Sequence, residues 1–207
     1  MTTASTPKGE RRRQALVAAA AGLLTEGGFE AVRHRAVAER AGLPLASTTY
    51  YFSSLDDLLA AAVEHEARGE LAAARARLDE LTDQVRSTEA IVELILDLLL
   101  GPSSRDGGVQ SVLLRYERFV GSPRRPYLAP LMRDLAGETH GLVAEILSRS
   151  GAPVSADRLA ELIALVDGAV VNALIESRPD PRGAARGMLR AQLGPESSDA
   201  ERLRSPS

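Results

Sequence analysis

The stretch Arg33–Leu59, R-H-R-A-V-A-E-R-A-G-L-P-L-A-S-T-T-Y-Y-F-S-S-L-D-D-L-L, constrains the fold more than any other part of the chain. It sets two short helices, a glycine turn and the start of a third helix in one continuous run. Ala38 is small enough to let two helices cross closely, and four residues on Gly42 is free to take positive φ at the corner. Val37, Ala41 and Leu43 form the inward seam. Pro44 suits the first position of a new helix, because its φ is preset and its missing N–H would have had no partner there. Within that helix the spacing predicts Thr48 and Phe52 toward the core, leaving Leu45, Ala46, Ser47, Thr49 and Tyr51 outward. The outward set is small, hydroxylated or aromatic, and such side chains approach thymine methyls, base edges and phosphates without filling a groove.

Gly28-Phe29 closing a first helix, Ala36–Leu43 with its glycine turn, Tyr50-Tyr51-Phe52 and Asp57-Leu58-Leu59 extend the pattern over about residues 10–65. In this it resembles the N-terminal domain of the TetR family of bacterial transcriptional regulators. The resemblance implies an all-α fold in which a three-helix helix-turn-helix domain is joined by a long helix to a C-terminal ligand-binding and dimerisation domain. It further implies a homodimeric repressor on a near-palindromic double-stranded DNA operator, released or re-tuned by a small-molecule effector whose identity the sequence does not give. A helical ligand-binding or enzymatic protein that has kept the fold without specific DNA binding is the alternative. Three positions depart from the family pattern. Arg33 stands where Ser or Thr caps the second helix, Leu55 stands where a lysine meets the DNA backbone, and Thr48 takes an inward place more often held by Leu. A lost cap costs about 1 kcal/mol, and Arg33 also opposes the helix dipole.

Charge is distributed to match. Residues 1–53 carry seven Lys/Arg and four Glu, net +3, so the remainder of a chain with net charge −3 is left at −6. A basic end on an acidic body fits nucleic-acid binding confined to one module. With no cysteine there is neither a disulfide framework nor thiolate chemistry. No run of apolar residues is long enough to cross a membrane, and the basic N-terminus lacks the apolar stretch of a signal peptide, so a cytoplasmic protein is expected. The three histidines, His34, His65 and His140, fall on different predicted helices, and His65-Glu66 has no second histidine to complete a zinc motif. No catalytic residue, metal site or cofactor is expected.

Composition predicts tails at 1–8 and 195–207, and the resemblance implies a DNA-binding domain at 9–53 and a ligand-binding and dimerisation domain at 54–194. A first helix is predicted over about Glu10–Thr25, a fourth from Ser54 to about Arg86 with a weak point at Gly69, and a loop over Gly101–Gly108. Helices are predicted over about Val109–Val120, Pro126–Arg149, Ser155–Ser177 and Pro181–Leu193. The helix near 155–177 is apolar nearly all round, unlike a monomer's surface helix. At 100° per residue Leu159, Leu162, Ile163, Val166, Val170 and Leu174 form one stripe. Ala164, Gly168, Val171 and Ile175 form another, whose small residues suit close contact with a second copy.

Candidate sites follow. Arg35 and Thr49 are expected to read base edges, with Leu45 and Ala46 in apolar base contact. Arg33, His34, Ser47, Tyr50, Tyr51 and Ser54 are expected to position the DNA backbone, Tyr50 having core packing as its alternative role. Ser54 with Asp57 three residues on makes a capping-box-like helix start. Effector contacts are expected from Arg115, Tyr116, Phe119, Tyr127, Met132, His140 and Asp167. The last is a carboxylate in an apolar sector, which asks for a ligand or a structural partner.

Overall fold

The computed structural model describes residues 6–106 and 108–194, and every regular element among them is helical. In chain order α1 spans Pro7–Ala31, α2 His34–Arg40, α3 Leu45–Tyr51, α4 Leu55–Asp79, α5 Thr88–Leu100, α6 Val109–Gly121, α7 Ala129–Arg149, α8 Ala156–Ile175 and α9 Pro181–Leu193. A 3₁₀ turn at Pro102–Asp106 occupies the segment that composition marks as loop, and two more, Ser122–Arg124 and Pro126–Leu128, join α6 to α7. The tail expected over 195–207 lies outside the described residues, as do residues 1–5 of the other. Residues 7 and 8 are helical, because the Thr6 hydroxyl caps α1 by accepting from the Gly9 N–H at 3.2 Å.

The contacts divide the chain into two compact units, and the division falls inside α4. Of the described residues, those from 6 to 72 form the first together with 114–135, and those from 73 to 113 form the second together with 136–194.

In the first unit Leu16, Ala20 and Leu24 of α1, Val32, Val37, Phe52, and Leu58 and Ala62 of α4 are buried in one cluster. Leu128 joins it fully buried, with Leu131 and Met132 packed alongside. The first helix runs further than its apolar pattern predicts, but Gly27 (φ −144°) and Gly28 (φ 66°) interrupt it and bend its last turn. Gly42 takes φ 64° at the corner between α2 and α3. Such a φ costs a non-glycine residue about 1–2 kcal/mol.

In the second unit α8 and α9 pack on one another and α9 packs on α5. The inward stripe of α8 buries Leu162, Ile163, Val166, Val170 and Ala173. The fourth helix stops at Asp79, short of the predicted Arg86. Arg149, from the end of α7, donates through Nη1 to the carbonyls of Leu78 at 2.9 Å and Leu81 at 3.3 Å, satisfying groups that a continuing helix would have used. The chain beyond then runs beside α7, where Gln84 and Arg86 donate their backbone N–H groups to the carbonyls of Arg149 and Ser150 at 3.0 and 3.1 Å. Helical structure does continue through Gly69.

Candidate nucleic-acid interface

α2 begins at His34 with Arg33 as its N-cap residue, and no side chain caps it. Arg33 instead turns its Nε to the Glu30 carbonyl at 3.1 Å, while its guanidinium stands 4.0 Å from the Glu30 carboxylate. His34 is half-buried with Nδ1 lacking a partner. Arg35 is exposed and pairs with no described residue, as do Arg11 and Arg12 at the start of α1. Arg13 lies over the Phe52 ring, 5.2 Å from its centroid.

Pro44 is the N-cap of α3, one place earlier than its preset φ suggested. The buried Thr48 hydroxyl, at 0 % exposure, donates to the Leu45 carbonyl at 2.8 Å. The departure from leucine therefore leaves no unsatisfied hydroxyl. Leu45, Ala46 and Thr49 are exposed and Ser47 is half-buried.

The two tyrosines differ from the predicted outward set. Tyr50 is 81 % exposed, whereas Tyr51 is half-buried and packs against the core, with the rings edge to face at 4.9 Å. From Thr48, steps of 100° put Tyr50 at about 200°, opposite the core, and Tyr51 at about 300°, next to the inward pair. Ser54 is exposed, and its Oγ accepts from the Asp57 N–H at 3.0 Å. The Asp57 carboxylate accepts from the Ser53 hydroxyl, so only the Ser54 half of the capping box forms.

Around this surface the unit is tied by ion pairs. Arg40 grips Glu26 bidentately at 2.6 and 2.5 Å, and that bond holds the Glu26 carboxyl below its ordinary range. Arg118 meets Glu66 at 3.1 Å and Arg115 meets Glu70 at 2.8 Å. Arg125 lies 3.8 Å from the Phe29 ring centroid. Burial and a hydrogen bond to Asp56 push the Tyr127 hydroxyl up to about 12.

Of the predicted effector contacts, Arg115, Tyr116, Phe119, Tyr127 and Met132 thus belong to the first unit. There Arg115 already holds Glu70 and lies over Phe119, and Tyr116 is buried against Phe119 edge to face at 5.8 Å. His140 and Asp167 belong to the second unit, both half-buried, and Asp167 is partnered within the structure. None of the seven lines the cleft found in that unit between α4, α5 and α7. Leu78, Leu81, Leu94, Leu98, Leu142 and Ile146 wall it, and Arg77 and Asp97 are its charged residues. The leucine spacing of α5 was a signal for a buried face, but nothing in the sequence distinguished Arg77 from any other exposed helical arginine. The exposed stripe of α8 consists of Ala164, Gly168 and Ile175, the last 73 % exposed, with Val171 half-buried beside them. No cluster of histidine or acidic side chains among the described residues is arranged to hold a metal ion, and no described helix is long and apolar enough to cross a membrane.

A helix-turn-helix with a free arginine on its outer face stands at one end of the chain. Residues 16–62 match the family profile described as bacterial regulatory proteins of the tetR family, and residues 86–195 match one described as a tetracyclin repressor-like C-terminal domain. The chain belongs to the TetR family. Among solved structures it is similar to the multidrug binding protein EbrR complexed with imidazole, at 30 % identity and TM-score 0.62 over 88 % of this chain and 94 % of that one. EbrR complexed with ethidium is similar at 28 % identity and TM-score 0.63 over 88 % and 98 %. A TetR family member from Streptomyces coelicolor A3 is similar at 28 % identity and TM-score 0.56 over the same shares. Comparison with curated protein sequences gives no match. Membership of the TetR family makes this chain a DNA-binding transcription regulator of the ligand-responsive kind.

Proposed function

We propose that this regulator is a homodimeric repressor that binds a near-palindromic operator and is released by a small molecule held in its C-terminal unit. The observation that carries the proposal is the outer face of α2 and α3. Arg35 is exposed and unpaired there, and Leu45, Ala46, Thr49 and Tyr50 are exposed on a helix whose other side is locked by Thr48 and Phe52. Arg35 is assigned to a guanine edge and Thr49 to a thymine methyl, with Leu45 and Ala46 in apolar contact. Arg33, His34, Ser47, Tyr50, Tyr51 and Ser54 are assigned to the backbone. Without the lysine that Leu55 replaces, phosphate grip falls to these residues and to Arg11 and Arg12.

The uncovered stripe of Ala164, Gly168, Val171 and Ile175 is assigned to the dimer. Small residues let a second α8 approach closely, and burying Ile175 there removes an exposed large aliphatic side chain from water. Two copies then present two recognition helices one helical turn apart on the duplex, about 34 Å. EbrR is complexed with imidazole and with ethidium, which supports a small-molecule effector for this chain as well. An effector shifts the dimer away from the operator-matched spacing by no more than its differential affinity for the two states.

Selection of bound sequences from random duplex DNA with the full chain tests the proposal. Enrichment of an inverted repeat with half-sites one turn apart is the expected result. Enrichment of a single half-site, with the protein monomeric at the concentrations used, would reject the dimeric reading, and no enrichment at low salt would reject operator binding altogether.

A further inference from the structure

The cleft between α4, α5 and α7 has a character that the proposed effector role leaves open. Its walls are aliphatic, and its two charged residues are not equivalent. Asp97 is paired with two arginines: one carboxylate oxygen accepts from Arg105 Nε at 2.8 Å and Arg182 at 2.9 Å, and the other from Arg105 at 2.6 Å. A cation entering here would find no free acid among the lining residues. Arg77, by contrast, is exposed and pairs with no described residue, so its guanidinium keeps all its donors available.

The cleft holds a cavity of about 60 Å³ that opens to solvent, so it admits the end of an aliphatic chain while the rest of the molecule stays outside.

We infer that this cleft binds a small anion with an aliphatic tail, a carboxylate of the straight-chain kind, its tail among Leu78, Leu94, Leu98 and Ile146 and its head on Arg77. The inference rests on the effector-binding role proposed above and assigns that effector its chemistry. The oxygen pair of a carboxylate matches the planar fork of a guanidinium, and a tail of a few carbons gains the free energy of leaving water.

A matched pair of probes tests it. Octanoate and octyltrimethylammonium share a tail and differ in head-group charge, and each is titrated into the full-length protein by calorimetry. Wild type is expected to bind octanoate at least about tenfold more tightly than the ammonium, the scale of one charge-assisted bond. Arg77→Gln, at an exposed and unpaired position that leaves the fold intact, is expected to abolish that preference, and Arg77→Lys to restore part of it. Equal or tighter binding of the ammonium, or octanoate binding unchanged in Arg77→Gln, overturns the charge assignment and leaves the effector role standing. A wild type that binds neither probe, while it still binds its selected duplex, overturns the anion site and leaves operator binding untouched.

Discussion

The helix-turn-helix face and the α5–α9 side of the second unit use the same residue in opposite ways. Twenty-four of the chain's 25 basic residues are arginine. On the helix-turn-helix, Arg11, Arg12 and Arg35 stand exposed with no partner among the described residues. On the other side Arg182 is only 2 % exposed, donating to Glu93 at 2.7 Å, Asp97 at 2.9 Å and Ser104 at 2.7 Å. Arg186 reaches the other Glu93 oxygen at 2.7 Å, and Arg105 completes the cluster on Asp97. A paired, buried arginine spends its donors inside the molecule and fixes one helix to another. A free one keeps them for a partner with planar acceptors, such as a guanine edge or a phosphate. Glu93 and Asp97 therefore act as internal counter-ions, and their charge is matched inside the second unit.

Arg182→Ala is the largest break available. It leaves the Glu93 and Asp97 carboxylates without their buried counter-ion and is expected to cost about 3–5 kcal/mol, read from the urea midpoint. An unchanged midpoint would mean that α9 is held by its apolar contacts alone. Acid should reach the same cluster. Burial pushes the Glu93 carboxyl up, but the bonds from Arg186 and Arg182 outweigh it and hold it down to about 2. Because this pKa is depressed on folding, the stabilisation is complete above pH about 4.5 and is lost as pH falls toward 2, amounting to at most about 3 kcal/mol. Melting between pH 6 and 2 should steepen over that window in wild type and flatten in Glu93→Gln.

On the opposite side of the comparison, Arg35→Ala is expected to leave melting unchanged. It should weaken operator binding by about 1–3 kcal/mol while relaxing one base position. Uniform weakening across sequences would reassign Arg35 to phosphate. The smallest effect belongs to Arg40→Gln, which removes the exposed pair with Glu26. An exposed pair is screened by solvent and salt, so no shift in the urea midpoint is expected.

What the sequence revealed follows how local each feature is. The glycine corner, the inward Thr48 and the absent cap before His34 all depend on residues within a few places of one another. The same holds for the inward stripe of α8. The end of α4 was not legible, because it is set by Arg149, about 70 residues away in sequence. Nor was the burial of Arg182, two residues past the N-cap of α9, where an arginine ordinarily faces water; its partners lie on α5 and the turn beyond. Leu128 gave no sign that the segment joining α6 to α7 packs into the core beneath the helix-turn-helix. Tyr51 left its expected outward place for another reason. Steps of 100° from either Thr48 or Phe52 put Tyr51 on the flank of the inward face and Tyr50 opposite it, and a large ring on the flank reaches the core.

If Arg11 and Arg12 serve DNA, they must act through phosphate charge. The salt dependence of binding to the selected operator, in wild type and in Arg11→Ala/Arg12→Ala, tests this most directly. The logarithm of the association constant should fall linearly with the logarithm of salt concentration, and the double variant's slope should be shallower by about 0.9 for each phosphate it no longer neutralises. Identical slopes in the two proteins, or no binding at low salt, would contradict it.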